Sequence, residues 1–218
     1  MTHTLEVDSI ILNFGLRRIL SDIYIKCETG KITTFAGRNG TGKSCLLNII
    51  LGKLAPLSKS VRIDGRPIKA AYPAINYLPQ THFVPAGLST RRVFSDYQID
   101  LDEFLHHFPE TKNRIKHRFR QLSGGERRLI EVYILIKAPA KFTLLDEPFS
   151  QIMPVQVEKI KPIIQAERTK GFLITDHLYK DVIDISDNGY LLQAGKTWRV
   201  RDMASLEELQ ARGYISTI

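Results

Sequence analysis

An α/β fold, with a mostly parallel sheet flanked by helices, is predicted by three features that follow one another along the chain. A glycine-rich loop joins a short apolar strand to a buried helix; the run Leu122-Ser123-Gly124-Gly125-Glu126 then opens a second helix; and an apolar strand ends in Asp146-Glu147. From composition alone, a prescribed five-residue run is expected in fewer than about one chain in a thousand of this length. The three features therefore belong together.

Ahead of the loop, Leu5 and Val7 alternate with Glu6 and Asp8, and Ile23, Ile25 and Cys27 alternate with Tyr24 and Lys26. Period-two alternation marks half-buried antiparallel strands and predicts an antiparallel β-layer at the N-terminus. Phe14 follows the strand at 5–12 and, on residue type alone, reads as a core aromatic.

The loop is Gly37-Arg38-Asn39-Gly40-Thr41-Gly42-Lys43-Ser44, which satisfies G-x-x-x-x-G-K-[ST]. The β-branched and apolar run at 32–36 predicts the strand before it, and Leu46, Leu47, Ile49, Ile50 and Leu51 predict the buried helix after it. Its glycines let the backbone curl so that N–H groups face the phosphates, and the positive end of the next helix is aimed at the same anion. Lys43 would reach the β- and γ-phosphates, and the Ser44 hydroxyl would ligate Mg²⁺. Cys45 opens the helix, where the dipole would lower its thiol pKa; the plainer reading is a small residue filling a helix–sheet gap.

After the loop comes Tyr77-Leu78-Pro79-Gln80, in which Gln80 on residue type alone is a surface amide. Phe94, Leu101, Phe104, Leu105 and Phe108 then punctuate a polar, helix-like stretch. The helix opened by Leu122 to Glu126 carries Leu129, Val132, Tyr133 and Ile136 at i, i+3, i+4 and i+7, predicting one buried face that ends at Pro139. The strand ending in Asp146 puts its carboxylate at a carboxyl end, where α/β sheets bind ligands, so that Asp146 would hold Mg²⁺ and Glu147 would act as general base. Asp-Glu-Pro is also an ordinary way to leave a strand. A helix over 155–170 is expected to kink at Pro162, Gly171 to start a strand running to His177, residues 189–200 to form a hairpin, and 203–210 a last helix. His177 alone reads equally as a helix cap or a surface histidine.

The chain has 218 residues, 43% hydrophobic and 25% charged, which matches one globular domain and excludes disorder. No apolar run approaches the roughly 18 residues of a membrane span, and the N-terminus lacks a signal-peptide pattern, so a soluble cytosolic chain is predicted. Two cysteines and no Cys-x-x-Cys pair exclude a disulfide scaffold. His3, His82, His106, His107 and His117 lack metal-ligand spacing and read as structural or solvated. Of the net charge of +8, much lies at Lys112, Arg114, Lys116, Arg118 and Arg120, with Arg127 and Arg128 beyond the signature. Residues two apart do not share a helix face, so this is read as a solvated surface or a general pull on ATP and anionic headgroups. In the absence of a nucleic-acid recognition motif, nucleic acid is not an expected partner.

With the phosphate loop, Leu122–Glu126 and the Asp146-Glu147 strand in this order, the chain resembles the ATP-binding cassette (ABC) ATPases over nearly its whole length. The resemblance implies a P-loop NTPase core for residues 1–218 as one domain. Residues 1–30 and 58–80 would contribute an antiparallel β-subdomain and part of the core, and residues 88–122 a helical subdomain that is short for the family. It places Phe14 where the family's aromatic stacks on adenine, Gln80 at the Q-loop glutamine that also reaches the metal, and His177 at the switch histidine. Residues 37–45 would bind ATP, with Lys43, Glu147 and His177 in catalysis and Ser44, Gln80 and Asp146 around Mg²⁺. Ser123, Gly124 and Gly125 match the signature, which in the family closes in trans over the γ-phosphate held by a second subunit.

The implied partners are therefore a second ABC subunit, identical or not, and a transmembrane permease that would hold the chain at the cytoplasmic face of the membrane. Met153 departs from the pattern: it stands where the family has a D-loop aspartate linking the two sites, so coupling between sites is the property in question. The expected function is an ATP-hydrolysing transporter subunit; the alternatives are a non-transport ABC ATPase and a hydrolysis-impaired scaffold. Residues 108–112 resemble branched-chain amino-acid importers and 157–177 resemble lipopolysaccharide-export cassettes, which leaves cargo and direction open.

Overall fold

The alternating segments and the uniformly apolar ones separate into two sheets, as their patterns require. The computed structural model describes residues 1–68, 71, 73–176 and 179–200. Strands β1 (Thr4–Phe14), β2 (Arg17–Leu20), β3 (Tyr24–Glu28), β5 (Ser58–Ile63) and β6 (Arg66–Pro67) pair antiparallel, in the order β2-β1-β5-β6 with β3 also on β1. The register sets Leu5 opposite Cys27 and Ile63, and Val7 opposite Ile25 and Val61, so one apolar face forms across three strands.

The second sheet contains β4 (Ile32–Ala36), β7 (Ile75–Leu78), β8 (Phe142–Asp146), β9 (Gly171–Thr175), β10 (Asn188–Gln193) and β11 (Lys196–Val200), in the order β11-β10-β4-β9-β8-β7. Its pairings are parallel except for the β10–β11 hairpin, whose turn places Ala194 and Gly195 at φ 50° and 75°. Strands β4, β8 and β9 are buried at every residue, as parallel strands covered on both faces must be. Alternation within β9 then assigns the faces: Phe172 and Ile174 join one hydrophobic cluster and Leu173 the other. The second cluster includes helix α1 (Lys43–Ile50) and the antiparallel sheet.

The first cluster holds α2 (Thr90–Asp96), α3 (Leu101–His107), α4 (Gly124–Lys137) and α5 (Pro154–Ala166). Ser89 and Asp100 cap α2 and α3 through their side chains. Phe94, Phe104 and Tyr133 join these helices to α4, with ring centroids 5.0 Å apart for Phe94–Phe104 and 4.9 Å for Phe104–Tyr133. The basic stretch lies on two 3₁₀ turns, Pro109–Arg114 and Phe119–Gln121, where Thr111, Ile115 and Phe119 point inward and Lys112, Arg114, Lys116, Arg118 and Arg120 are exposed.

Three expectations are corrected. Helix α4 is buried at every residue from Arg128 to Ile136 rather than along one face, because the core sheet and α2, α3 and α5 enclose it. Arg128 therefore does not belong to the basic surface. Helix α5 continues past Pro162, which is exposed, and ends at Ala166, four residues early. Lys170, expected in that helix, instead donates from its buried ammonium to the carbonyls of Ile136 and Ala138, both at 2.5 Å, closing the end of α4. The predicted helix at 203–210 lies outside the described residues. Among those described, no helix is long and apolar enough to cross a membrane.

Candidate functional site

Because β9 pairs in parallel with both β4 and β8, the carboxyl ends of these three strands lie side by side. The loop after Ala36 thereby meets Asp146 and Thr175, which are register partners, at one edge of the sheet, the place where open α/β sheets bind ligands. Gly40 at φ 77° and Gly42 at φ 107° turn the chain there through conformations costly for other residues, and Gly42 is the N-cap of α1. No side chain caps the first turn of α1, so its amides and the helix dipole offer an anion site. Lys43 is buried and donates from Nζ to the carbonyls of Gly37 at 2.5 Å and Arg38 at 3.1 Å. Burial pushes its ammonium pKa down, opposed by the carboxylates of Glu147, Asp146 and Asp176. Arg38 and Asn39 are exposed, Thr41 is half-buried with its hydroxyl on the Arg38 carbonyl, and Ser44 is exposed beside Lys43.

Cys45 packs half-buried against the second core cluster, and burial pushes its thiol pKa up. This fits the plainer reading of Cys45 as a small residue filling a gap between helix and sheet.

The acidic pair is held tightly. Asp146, 1% exposed, accepts from the Thr175 hydroxyl at 2.6 Å and the Tyr77 hydroxyl at 3.3 Å. Glu147 has φ 51°, its N–H donates to the Thr175 carbonyl at 2.7 Å, and its carboxylate accepts from the Gln80 side-chain amide at 2.9 Å. Gln80 is exposed, and its side-chain amide is engaged with Glu147. Asp176, also buried, accepts from the Phe149 N–H at 3.0 Å and anchors the chain leaving β8. His177 lies outside the described residues.

Phe14 is 53% exposed, which removes the core reading. It ends β1, and the adjoining β2 is close enough to the loop that a Cβ on Gly42 would lie 2.9 Å from Ile19. The signature has a local role that its spacing already contained. Ser123 accepts from the Glu126 N–H at 3.2 Å while the Glu126 carboxylate accepts from the Ser123 N–H at 2.8 Å, a capping box at the start of α4. A side chain on Gly124 would strike the Gln151 amide oxygen, 2.6 Å from its Cβ, and one on Gly125 would strike the Gln151 backbone carbonyl. The signature and the loop bearing Met153 are therefore packed together within one chain.

Two groups are not legible from residue type alone. Thr175 and Asp176 form a polar pair at the carboxyl end of a strand beside β8, and that position is itself the signal. Arg128 and Glu131 stand three apart in the buried stretch 128–136 of α4, which has no other charge, and charges in such a setting must be paired. Arg128 donates to the carbonyls of Pro79 at 2.6 Å, Asp146, and Glu147 at 2.7 Å. Glu131 accepts from the amides of Phe83 at 3.0 Å and Val84 at 3.1 Å and pairs with His82 at 3.0 Å.

The oxygen set of Ser44, Asp146 and Gln80 suits a hard divalent cation. Among the described residues no group of three His, Cys, Asp or Glu side chains is arranged to hold a metal.

Comparison with known proteins agrees with this geometry. The family model described as "ABC transporter" matches residues 20–150. The chain is 29% identical over 213 residues to the high-affinity branched-chain amino acid transport ATP-binding protein BraG of Pseudomonas aeruginosa, covering 88% of this chain and 90% of that protein. It is 30% identical over 213 residues to the lipopolysaccharide export system ATP-binding protein LptB of Haemophilus influenzae, covering 88% of each. Among solved structures, an ATP-binding subunit of an ABC transporter superposes with a TM-score of 0.81 at 19% identity, over 95% of this chain and 98% of that one. A second, an ATP-binding cassette of an ABC transporter, gives 0.77 at 21% identity, over 96% and 95%. Loop, acidic pair, signature and fold thus coincide with a matched family model, and the chain belongs to the ABC transporter family.

Proposed function

We propose that this chain is the ATP-binding and ATP-hydrolysing subunit of an ABC transporter, a single ATPase domain that drives a separate membrane subunit by closing and opening against a second cassette. The observation that carries the reading is the meeting of Lys43, Asp146, Glu147 and Gln80 at the carboxyl ends of adjacent parallel strands, with the Gln80 amide on the Glu147 carboxylate. Phe14 would stack on adenine, residues 37–45 would wrap the phosphates, and Lys43 would exchange its two loop carbonyls for phosphate oxygens. Ser44, Asp146 and Gln80 would hold Mg²⁺, which when bound neutralises charge on the β- and γ-phosphates. Glu147, oriented by Gln80, takes the proton of the attacking water; the water oxygen bonds to the γ-phosphorus as the β–γ bridging bond breaks, leaving ADP and phosphate. His177 would serve as the switch histidine in catalysis.

Ser123, Gly124 and Gly125 would act on the nucleotide of the partner cassette. Their packing against Gln151, with Met153 62% and Val155 64% exposed, supports one shared dimer face. The membrane subunit would dock in the small apolar groove lined by Phe83, Val84, Leu88 and Tyr97 and hold the chain at the cytoplasmic face. The names of BraG and LptB give different cargo, branched-chain amino acids and lipopolysaccharide, so cargo would be read from the permease.

The test is ATP hydrolysis and sizing of wild type and Glu147→Gln in ATP–Mg²⁺. Wild-type turnover, with at least about a hundredfold loss and an ATP-trapped dimer in the variant, is expected. Unchanged turnover in the variant removes Glu147 from the role of base, while ATP binding with neither turnover nor dimer in the wild type favours the scaffold alternative through Met153.

A further inference from the structure

Two charged side chains on one helix grip both flanks of the Gln80 loop. Arg128 is 2% exposed and Glu131 0%. Standing three apart, they share one side of α4. Arg128 takes the Pro79 carbonyl, just before Gln80, and Glu131 takes the amides of Phe83 and Val84, just after it. The same guanidinium also takes the carbonyls of Asp146 and Glu147. Gln80, whose amide meets the Glu147 carboxylate, is therefore suspended between points fixed to one helix, and so is Glu147 itself.

The chemistry fits this task. A guanidinium presents several donors in a rigid fork and can hold three carbonyls at fixed spacing, which a lysine ammonium on a flexible stem cannot. A carboxylate has two oxygens; here one receives both loop amides and the other receives His82. Buried charges persist only where such partners satisfy them. Phe83 and Val84 also line the groove assigned above to the membrane subunit.

We propose that Arg128 and Glu131 are positioning residues that hold the Gln80 loop in register with Glu147, so that the Gln80–Glu147 hydrogen bond keeps its geometry only while both grips on the loop are intact. The inference rests on the reading of Gln80 and Glu147 as parts of an ATPase site.

The test compares the full wild-type chain with Glu131→Ala and Glu131→Gln by ATPase kinetics and amide hydrogen exchange. Glu131→Ala is expected to lose about tenfold or more in kcat with KM for ATP nearly unchanged, since small misplacements of a base are costly. The amides of Phe83 and Val84 should exchange faster while β8 and β9 keep their protection. Glu131→Gln retains an oxygen for both amides and should recover most of kcat. Wild-type kcat in a folded Glu131→Ala overturns the proposal, as does an equal loss in both variants, which would trace the effect to charge. Where alanine does not fold, Glu131→Asp, with the charge kept but the arm shortened, should lose kcat in the same way, and wild-type kcat there overturns the proposal too. A wild type that fails to hydrolyse ATP counts against the ATPase reading; exchange at Phe83 and Val84 then decides the clamp, and unchanged rates overturn it.

Discussion

Glu147 occupies the left-handed region at φ 51°, a conformation few non-glycine residues adopt, and it does so at the residue assigned the hydrolytic proton transfer. Such strain costs about 1 kcal/mol or more and is retained where surrounding bonds enforce it. Here the Thr175 carbonyl, the Arg128 guanidinium and the Gln80 amide do so. The substitution to glutamine leaves that backbone in place, so it isolates the carboxylate. Cys45 illustrates the opposite outcome, in which a motif neighbour gains no special chemistry. With its thiol pKa pushed up by burial, its alkylation by iodoacetamide near neutral pH should be slower than that of an unstructured cysteine peptide and should accelerate as pH rises. A rate above the peptide's would restore the helix-dipole reading. Cys27, fully buried and pushed up to about 12, should stay unmodified while the protein is folded.

Among the elements, the tie between the two sheets is made at a turn. Asp64, between β5 and β6, accepts from the Thr4 N–H at 2.9 Å, pairs with the His3 ring at 2.7 Å, and meets Lys141, just before β8, at 3.4 Å. The Thr4 amide, then His3 and Lys141, hold its carboxyl down at about 2. A folded value below the unfolded value of about 4 means that the contribution to stability is present above that pH and is lost as pH falls toward 2. The melting temperature of wild type should therefore exceed that of Asp64→Asn at pH 6, with the gap closing between pH 4 and pH 2. A gap that persists undiminished at pH 2 would show that Asp64 acts without its charge.

For the whole molecule, the question is how two chains meet. Ser123 is exposed at the start of α4, and the loop bearing Met153 packs directly against the signature glycines. Ser123→Arg in the Glu147→Gln background should stay monomeric in ATP–Mg²⁺ while the monomer's affinity for ATP is nearly unchanged, read by sizing and by nucleotide titration. Loss of the cap should cost about 1 kcal/mol, seen as a modest fall in melting temperature. A dimer that forms regardless would place the partner's nucleotide away from this signature.

Much of this protein is determined by local sequence. The glycine loop, the strand ending in Asp146, the hairpin at 188–200 and the start of α4 are encoded by turn residues, caps and periodicity that act within a few residues of one another. The all-round burial of α4, the end of α5 at Ala166, the depth of Arg128 and Glu131, and the pKa of Cys45 were decided only by tertiary structure. Each depends on what packs against a segment from elsewhere in the chain. A charge reads as solvated or buried only once the opposite wall is in place, and only then can its hydrogen bonds be assigned.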